Sequence, residues 1–171
     1  MTREEFIAKA TEAARASSAT SGFPAGITVA QAALESRWGE SELSRRANNY
    51  FGIKAHGKHG SVEMPTTEVV NGVAQSTSAG FAAYDGMQRC FECRDRLIVS
   101  GAVYAEARAA AGEPEQFARA LAKRWATDPR YAEKLLRVYR ENGFDRLDRV
   151  KPTGLSRPSG TSSSQNCETQ R

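Results

Sequence analysis

Along the first forty residues, apolar positions recur at helical intervals. Thr2 and Glu5 stand at capping-box spacing, and Phe6, Ile7 and Ala10 follow on what would be one inward face. The segment Ser21-Gly22-Phe23-Pro24 interrupts that pattern. A second helix is expected from about residue 24 to 37, with proline in its first turn and Ile27, Ala30 and Leu34 on a common face. Gly39 reads as its stop, and a short helix over 42–47 follows. Between residues 62 and 84 the period changes. Asn71-Gly72 is the strongest short-range hairpin signal, and strand-like residues 66–70 and 73–77 flank it. A two-residue turn there sets Glu68 opposite Gln75. Three further helices are expected at about 86–99, 114–125 and 129–142. The last has Asp128 as cap, Pro129 at its first position and Gly143 just past its end. Helices around one small antiparallel hairpin lobe give an α+β fold, mostly α.

Composition changes the picture at the C-terminus. Twelve of the last 21 residues are Ser, Thr, Gly or Pro, and Leu155 is the one bulky aliphatic among them. Such a segment buries too little apolar surface to offset its ordering entropy, so 151–171 reads as a flexible tail behind a domain of residues 1–150. Across all 171 residues, 40% are hydrophobic and 26% charged, which is ordinary for a globular protein. No apolar run approaches the ~20 residues of a membrane span, so no integral membrane association is expected. Met1 leads straight into a charged helical stretch, so no cleavable signal peptide is read in this chain and the export route stays open. With 24 basic and 20 acidic residues the net charge is +4, spread among acids rather than clustered. That pattern argues against nucleic acid as a partner but suits attraction to a polyanionic surface. Three cysteines do not make a disulfide framework.

Chemistry is carried by two carboxylates. Glu35 lies near the end of an otherwise apolar helix, about 100° round from Leu34 and one turn before Trp38. An apolar wall disfavours the charged form of such a carboxyl, and a raised pKa is what a general acid needs to protonate a leaving oxygen. On these residues alone, a solvated glutamate at a helix end is the simpler reading. Glu68 reads equally well as a solvent-facing strand residue. Two carboxylates on different elements facing one cleft is also the arrangement glycosidases use. Cys90 and Cys93 have the spacing of half a zinc site, and His56 and His59 are the two histidines. One such pair on a helix, with the histidines in a glycine loop, is better read as helix cysteines with one turned inward. No metal or cofactor is called for.

Five ordered blocks, AQAALESRWGES, ANNYFGIKA, TTEVVNG, FAAYD and WATDPRYAEKL, resemble the glucosaminidase family of peptidoglycan hydrolases, glycoside hydrolase family 73. The resemblance runs from about Phe6 to Leu136. It implies a lysozyme-like helical domain with a mobile hairpin lobe, acting as a monomer on peptidoglycan glycan strands in the periplasm or cell wall. The implied reaction is cleavage of the β-1,4 bond between N-acetylglucosamine and N-acetylmuramic acid. By the same resemblance Glu35 is the general acid, and Glu68 the second carboxylate, either activating water or supporting an acetamido-assisted step. Tyr131 then lies near the catalytic centre. Asn49, Phe51 and Gly52 match a block that shapes the cleft floor and binds substrate, with Asn49 a hydrogen-bonding partner for sugar or simply part of a helix-ending turn. Trp125 replaces the family's usual tyrosine and is either a stacking face for sugar or core. The family often has an acidic residue where Cys93 stands, and Asp95 lies two positions on. Alternatives from other classes are a lytic transglycosylase or muramidase on the same glycan, and a non-catalytic wall-binding or assembly module.

Overall fold

The computed structural model describes residues 1–55, 60–70 and 72–149, excepting the side chains of 66–70, 74 and 75. The tail, the Val150 boundary, Asn71, His56, His59 and Cys167 lie outside the described residues, as does the side chain of Glu68.

Helix α1 spans Arg3–Ser21 and opens with the expected capping box: Glu5 N–H donates to Thr2 Oγ1 at 3.1 Å, and Thr2 N–H to the Glu5 carboxylate at 2.8 Å. Gly22 ends it in the left-handed region at φ 75°, a conformation that costs glycine little. Helix α2 (Ala25–Ser36) begins just after Pro24, which acts as the cap residue itself. Ten of its twelve residues are buried, so α2 is the central helix, with α1, α6 (Pro114–Trp125), α7 (Tyr131–Glu141) and a C-terminal helix α8 (Asp145–Arg149) packed around it. Helix α3 (Glu42–Ala47) matches its expected bounds and is capped by Ser41. Helix α4 (Met87–Ser100) lies against α1, and a short turn of 3-10 helix (Ala102–Tyr104) leads into α5 (Ala105–Ala109). Helix α6 is Pro114–Trp125, as expected.

The last long helix differs from expectation. α7 spans Tyr131–Glu141, two residues later than Pro129, because the Asp128 carboxylate accepts the Arg130 N–H (2.9 Å) and fixes a turn first. The sequence did not predict α5 or α8, each five residues long.

Strands β1 (Ser61–Val70) and β2 (Val73–Ala82) form a two-stranded antiparallel sheet in which Val70 pairs with Val73 and Glu68 with Gln75, the register the Asn-Gly turn demands. At its base the hairpin is tied to the helical body. Ala82 N–H donates to Ile53 (3.0 Å), Ala55 N–H to Gly80 (2.9 Å), and Lys54 bridges Phe81. Among the described residues no helix is long and apolar enough to cross a membrane.

Candidate active site

Glu35 sits in the last turn of α2, half-buried, at the point where the helices α6 and α7 converge on it. Trp125, the last residue of α6, donates its indole N–H to Glu35 Oε1 at 3.0 Å. Tyr131, the first residue of α7, brings its hydroxyl to the same oxygen at 2.6 Å. One carboxylate oxygen is therefore held from two sides by donors from two other helices. Burial, followed by the charge of Glu35, pushes the Tyr131 phenol well above its ordinary range, so it keeps the proton it donates.

The helix end that carries Glu35 is made locally. Ser36 Oγ bonds back to the Ala32 carbonyl (2.6 Å) and accepts the Gly39 N–H (2.8 Å). Arg37, Trp38 and Gly39 then take positive φ in succession, at 52°, 60° and 79°. The stop thus comes at Arg37 rather than Gly39, in a conformation two non-glycine residues seldom adopt together. Trp38 finds its ring contacts on other elements. It packs edge-on against Phe6, near Phe144, with the Arg3 guanidinium over its ring. The aromatic wall beside Glu35 consists of Trp125 and Tyr131 instead.

Three of the four expected substrate-binding residues are buried. Asn49 is 1% exposed, and its side chain bonds only backbone: Nδ2 to the carbonyls of Ile53 (2.8 Å) and Ala82 (2.9 Å), Oδ1 from the N–H groups of Ile53 (3.1 Å) and Phe51 (3.4 Å). It clamps the loop after α3 to the base of the hairpin and leaves nothing for sugar. Its neighbour Asn48 ends α3 in the left-handed region. Phe51 is fully buried, packed edge-on against Phe91 with ring centroids 4.9 Å apart. Trp125 is 3% exposed between Phe51 and Tyr104, as core rather than as an open face, and gives its indole N–H to Glu35. Gly52 alone is partly exposed, at φ 64° with open space where a Cβ would stand. Glu68 stands at a known register position on β1, and its side chain is outside the described residues.

Cys90 and Cys93 both turn inward. Burial pushes the Cys90 thiol up to about 12, its sulfur accepts the Tyr50 N–H at 3.4 Å, and Cys93 is 2% exposed.

Pattern reading missed a buried polar seam. Arg94 and Asp95 are 0% and 4% exposed and ion-paired at 2.6 Å, beside Gln31, also fully buried. Asp95 therefore supports Arg94, not Glu35. The signal was in the periodicity: Arg94 and Asp95 stand three and four residues after Phe91 and just before Ile98, on the apolar face of α4.

The sequence profile of the glucosaminidase family, described as mannosyl-glycoprotein endo-beta-N-acetylglucosaminidase, matches residues 11–144. The exo-glucosaminidase LytG of Bacillus subtilis is 36% identical over 132 residues, 74% of this chain and 47% of LytG. The peptidoglycan hydrolase FlgJ of Escherichia coli is 36% identical over 143 residues, covering 80% of this chain and 45% of FlgJ. The chain thus spans about half the length of the curated relatives it matches. Among solved structures, the catalytic domain of the autolysin Auto from Listeria monocytogenes superposes with a TM-score of 0.77 at 28% identity, covering 85% of this chain and 86% of that one. The fold is that of these glycoside hydrolase domains, and the chain belongs to the glucosaminidase family.

Proposed function

We propose that this domain is a peptidoglycan hydrolase, an endo-β-N-acetylglucosaminidase that cleaves the β-1,4 bond between N-acetylglucosamine and N-acetylmuramic acid outside the cytoplasm. The names of its relatives, a glucosaminidase and a peptidoglycan hydrolase, support the substrate class. The observation that carries the reaction type is the Glu35 carboxyl, half-buried with one oxygen held by Trp125 and Tyr131 and the other without a hydrogen-bond partner among the described residues.

In this reading Glu35 is the general acid. Its proton passes to the glycosidic oxygen as the bond from that oxygen to C1 breaks, and charge develops on the sugar ring. The water oxygen that completes hydrolysis adds to C1, in one of two ways. Either Glu68 takes the water's proton, or the substrate's own acetamido group first attacks C1 and Glu35, now ionised, accepts the proton when water opens that intermediate. Tyr131 and Trp125 hold the acid in place through both steps. No step needs a metal or cofactor.

Glu35→Gln tests this assignment. It keeps size and polarity but carries no transferable proton, so turnover of purified peptidoglycan should fall about 10²–10⁴-fold with an unchanged melting temperature. Near-wild-type turnover by that variant would refute Glu35 as the acid.

A further inference from the structure

The bond from Tyr131 to Glu35 has a cause that lies deeper in the core. Arg94 heads the fully buried side chains by volume. Its Nε and Nη2 both donate to Gln31 Oε1, at 3.0 and 2.7 Å, and its Nη1 donates to Thr28 Oγ1 at 3.1 Å and Asp95 Oδ1 at 2.6 Å. Asp95 is held in turn by the hydroxyls of Ser17 and Ser21 on α1. On its other side Gln31 brings Nε2 to 3.3 Å from the Tyr131 hydroxyl.

The donor inventory fixes every direction along this chain. A guanidinium has only donors, so the Gln31 atom facing Arg94 must be the carbonyl oxygen and the amide nitrogen must face Tyr131. That nitrogen can only donate, so the Tyr131 oxygen receives a hydrogen bond and its own hydrogen is sent to Glu35 Oε1. The Trp125 indole nitrogen is likewise a donor only. Oε1 is therefore occupied by two incoming hydrogens, and a protonated Glu35 must carry its hydrogen on Oε2.

We propose that Gln31, locked by Arg94, is a positioning residue that acts through Tyr131 to reserve Oε2 of Glu35 for the transferable proton. The proposal rests on Glu35 serving as the glycosidic acid. Gln31 touches no reacting atom. It decides which way the tyrosine hydroxyl points, and thereby which carboxyl oxygen can deliver a proton to the leaving group.

Gln31→Glu separates this role from mere packing. The introduced side chain keeps the volume and both guanidinium bonds, but its ionised form has no hydrogen to give. It accepts from the Tyr131 hydroxyl and draws that hydrogen away from Glu35. On soluble peptidoglycan fragments kcat should fall about tenfold to a hundredfold, with KM and melting temperature near wild type. Three readouts go beyond what packing would move. The double variant Gln31→Glu/Tyr131→Phe should be no slower than Tyr131→Phe alone. The ratio of variant to wild-type kcat should rise as pH falls and the introduced carboxyl gains a hydrogen to donate. Gln31→Met, which keeps the volume and deletes the amide, should show the same dependence on Tyr131, and it replaces Gln31→Glu in the cycle if that variant does not fold. Wild-type kcat in Gln31→Glu, or losses that add in the double variant, would overturn the proposal. A wild-type protein that cleaves no glycan would overturn the glycosidase reading and the relay with it, whereas an active wild type beside an indifferent Gln31→Glu overturns the relay alone.

Discussion

Asn49 commits its whole side chain to backbone groups on two segments, the loop after α3 and the end of β2. Replacing it with alanine deletes these buried hydrogen bonds, a cost of about 2–4 kcal/mol. In a domain of this size that lowers Tm by about 5–15 °C. KM for glycan fragments should hold at temperatures where the variant stays folded, whereas a sugar-binding asparagine would raise KM with little change in Tm. Thermal unfolding and kinetics on the one variant decide between these. At the level of single residues, resemblance between blocks carried identity but not burial. It placed Glu35 and Tyr131 in one centre, where the structure finds them 2.6 Å apart through a hydrogen bond. It also put Asn49, Phe51 and Trp125 against substrate, although all three are buried. The burial of Gln31, Arg94 and Asp95 is not legible locally, because a polar side chain on an apolar face reads as an exception to the helical period.

Among the elements, the hairpin register and the bounds of α3 and α6 were legible, because each depends on local signals: an Asn-Gly turn, a serine cap, a proline at the first helical position. The later start of α7 was not, since Asp128 is equally suited to cap a helix and to close a turn on the N–H two residues on, and it does the latter. Nor was α8, whose five residues depend on what they pack against. It places Asp148 at the N-terminus of α2, where Oδ1 accepts the Gly26 N–H and Oδ2 the Tyr139 hydroxyl, each at 2.9 Å. Gly26 permits this closeness: a Cβ there would stand 2.2 Å from the Phe144 carbonyl oxygen. Burial raises the Asp148 carboxyl above its ordinary value, outweighing the N–H groups of α2 and the Tyr139 hydroxyl that favour its charge. A carboxyl raised on folding holds its proton more tightly in the folded state. Its contribution is fully present below about pH 3.9, the unfolded value, and is lost as pH rises through the folded one. Asp148→Asn keeps an acceptor for Gly26 and has no proton to lose. The Tm difference between variant and wild type should therefore shift in the variant's favour from about pH 4 to 7. A flat difference, or a shift the other way, would mean that the helix end outweighs burial.

For the whole molecule, a buried central helix presents its last turn to two others, and that convergence makes the candidate site. Gln31 and Glu35 lie one turn apart on α2, so the arginine seam and the Glu35 carboxyl are set by the same rigid element. The hairpin stands beside this body, pinned through Asn49 and the pairing of residues 53–55 with β2. Which glycan bond the domain cuts, as proposed above, is read out by mass spectrometry of the products from purified peptidoglycan. Fragments with N-acetylglucosamine at the reducing end are the predicted result. Reducing-end N-acetylmuramic acid would make the domain a muramidase, an anhydro sugar would make it a transglycosylase, and either outcome contradicts the account.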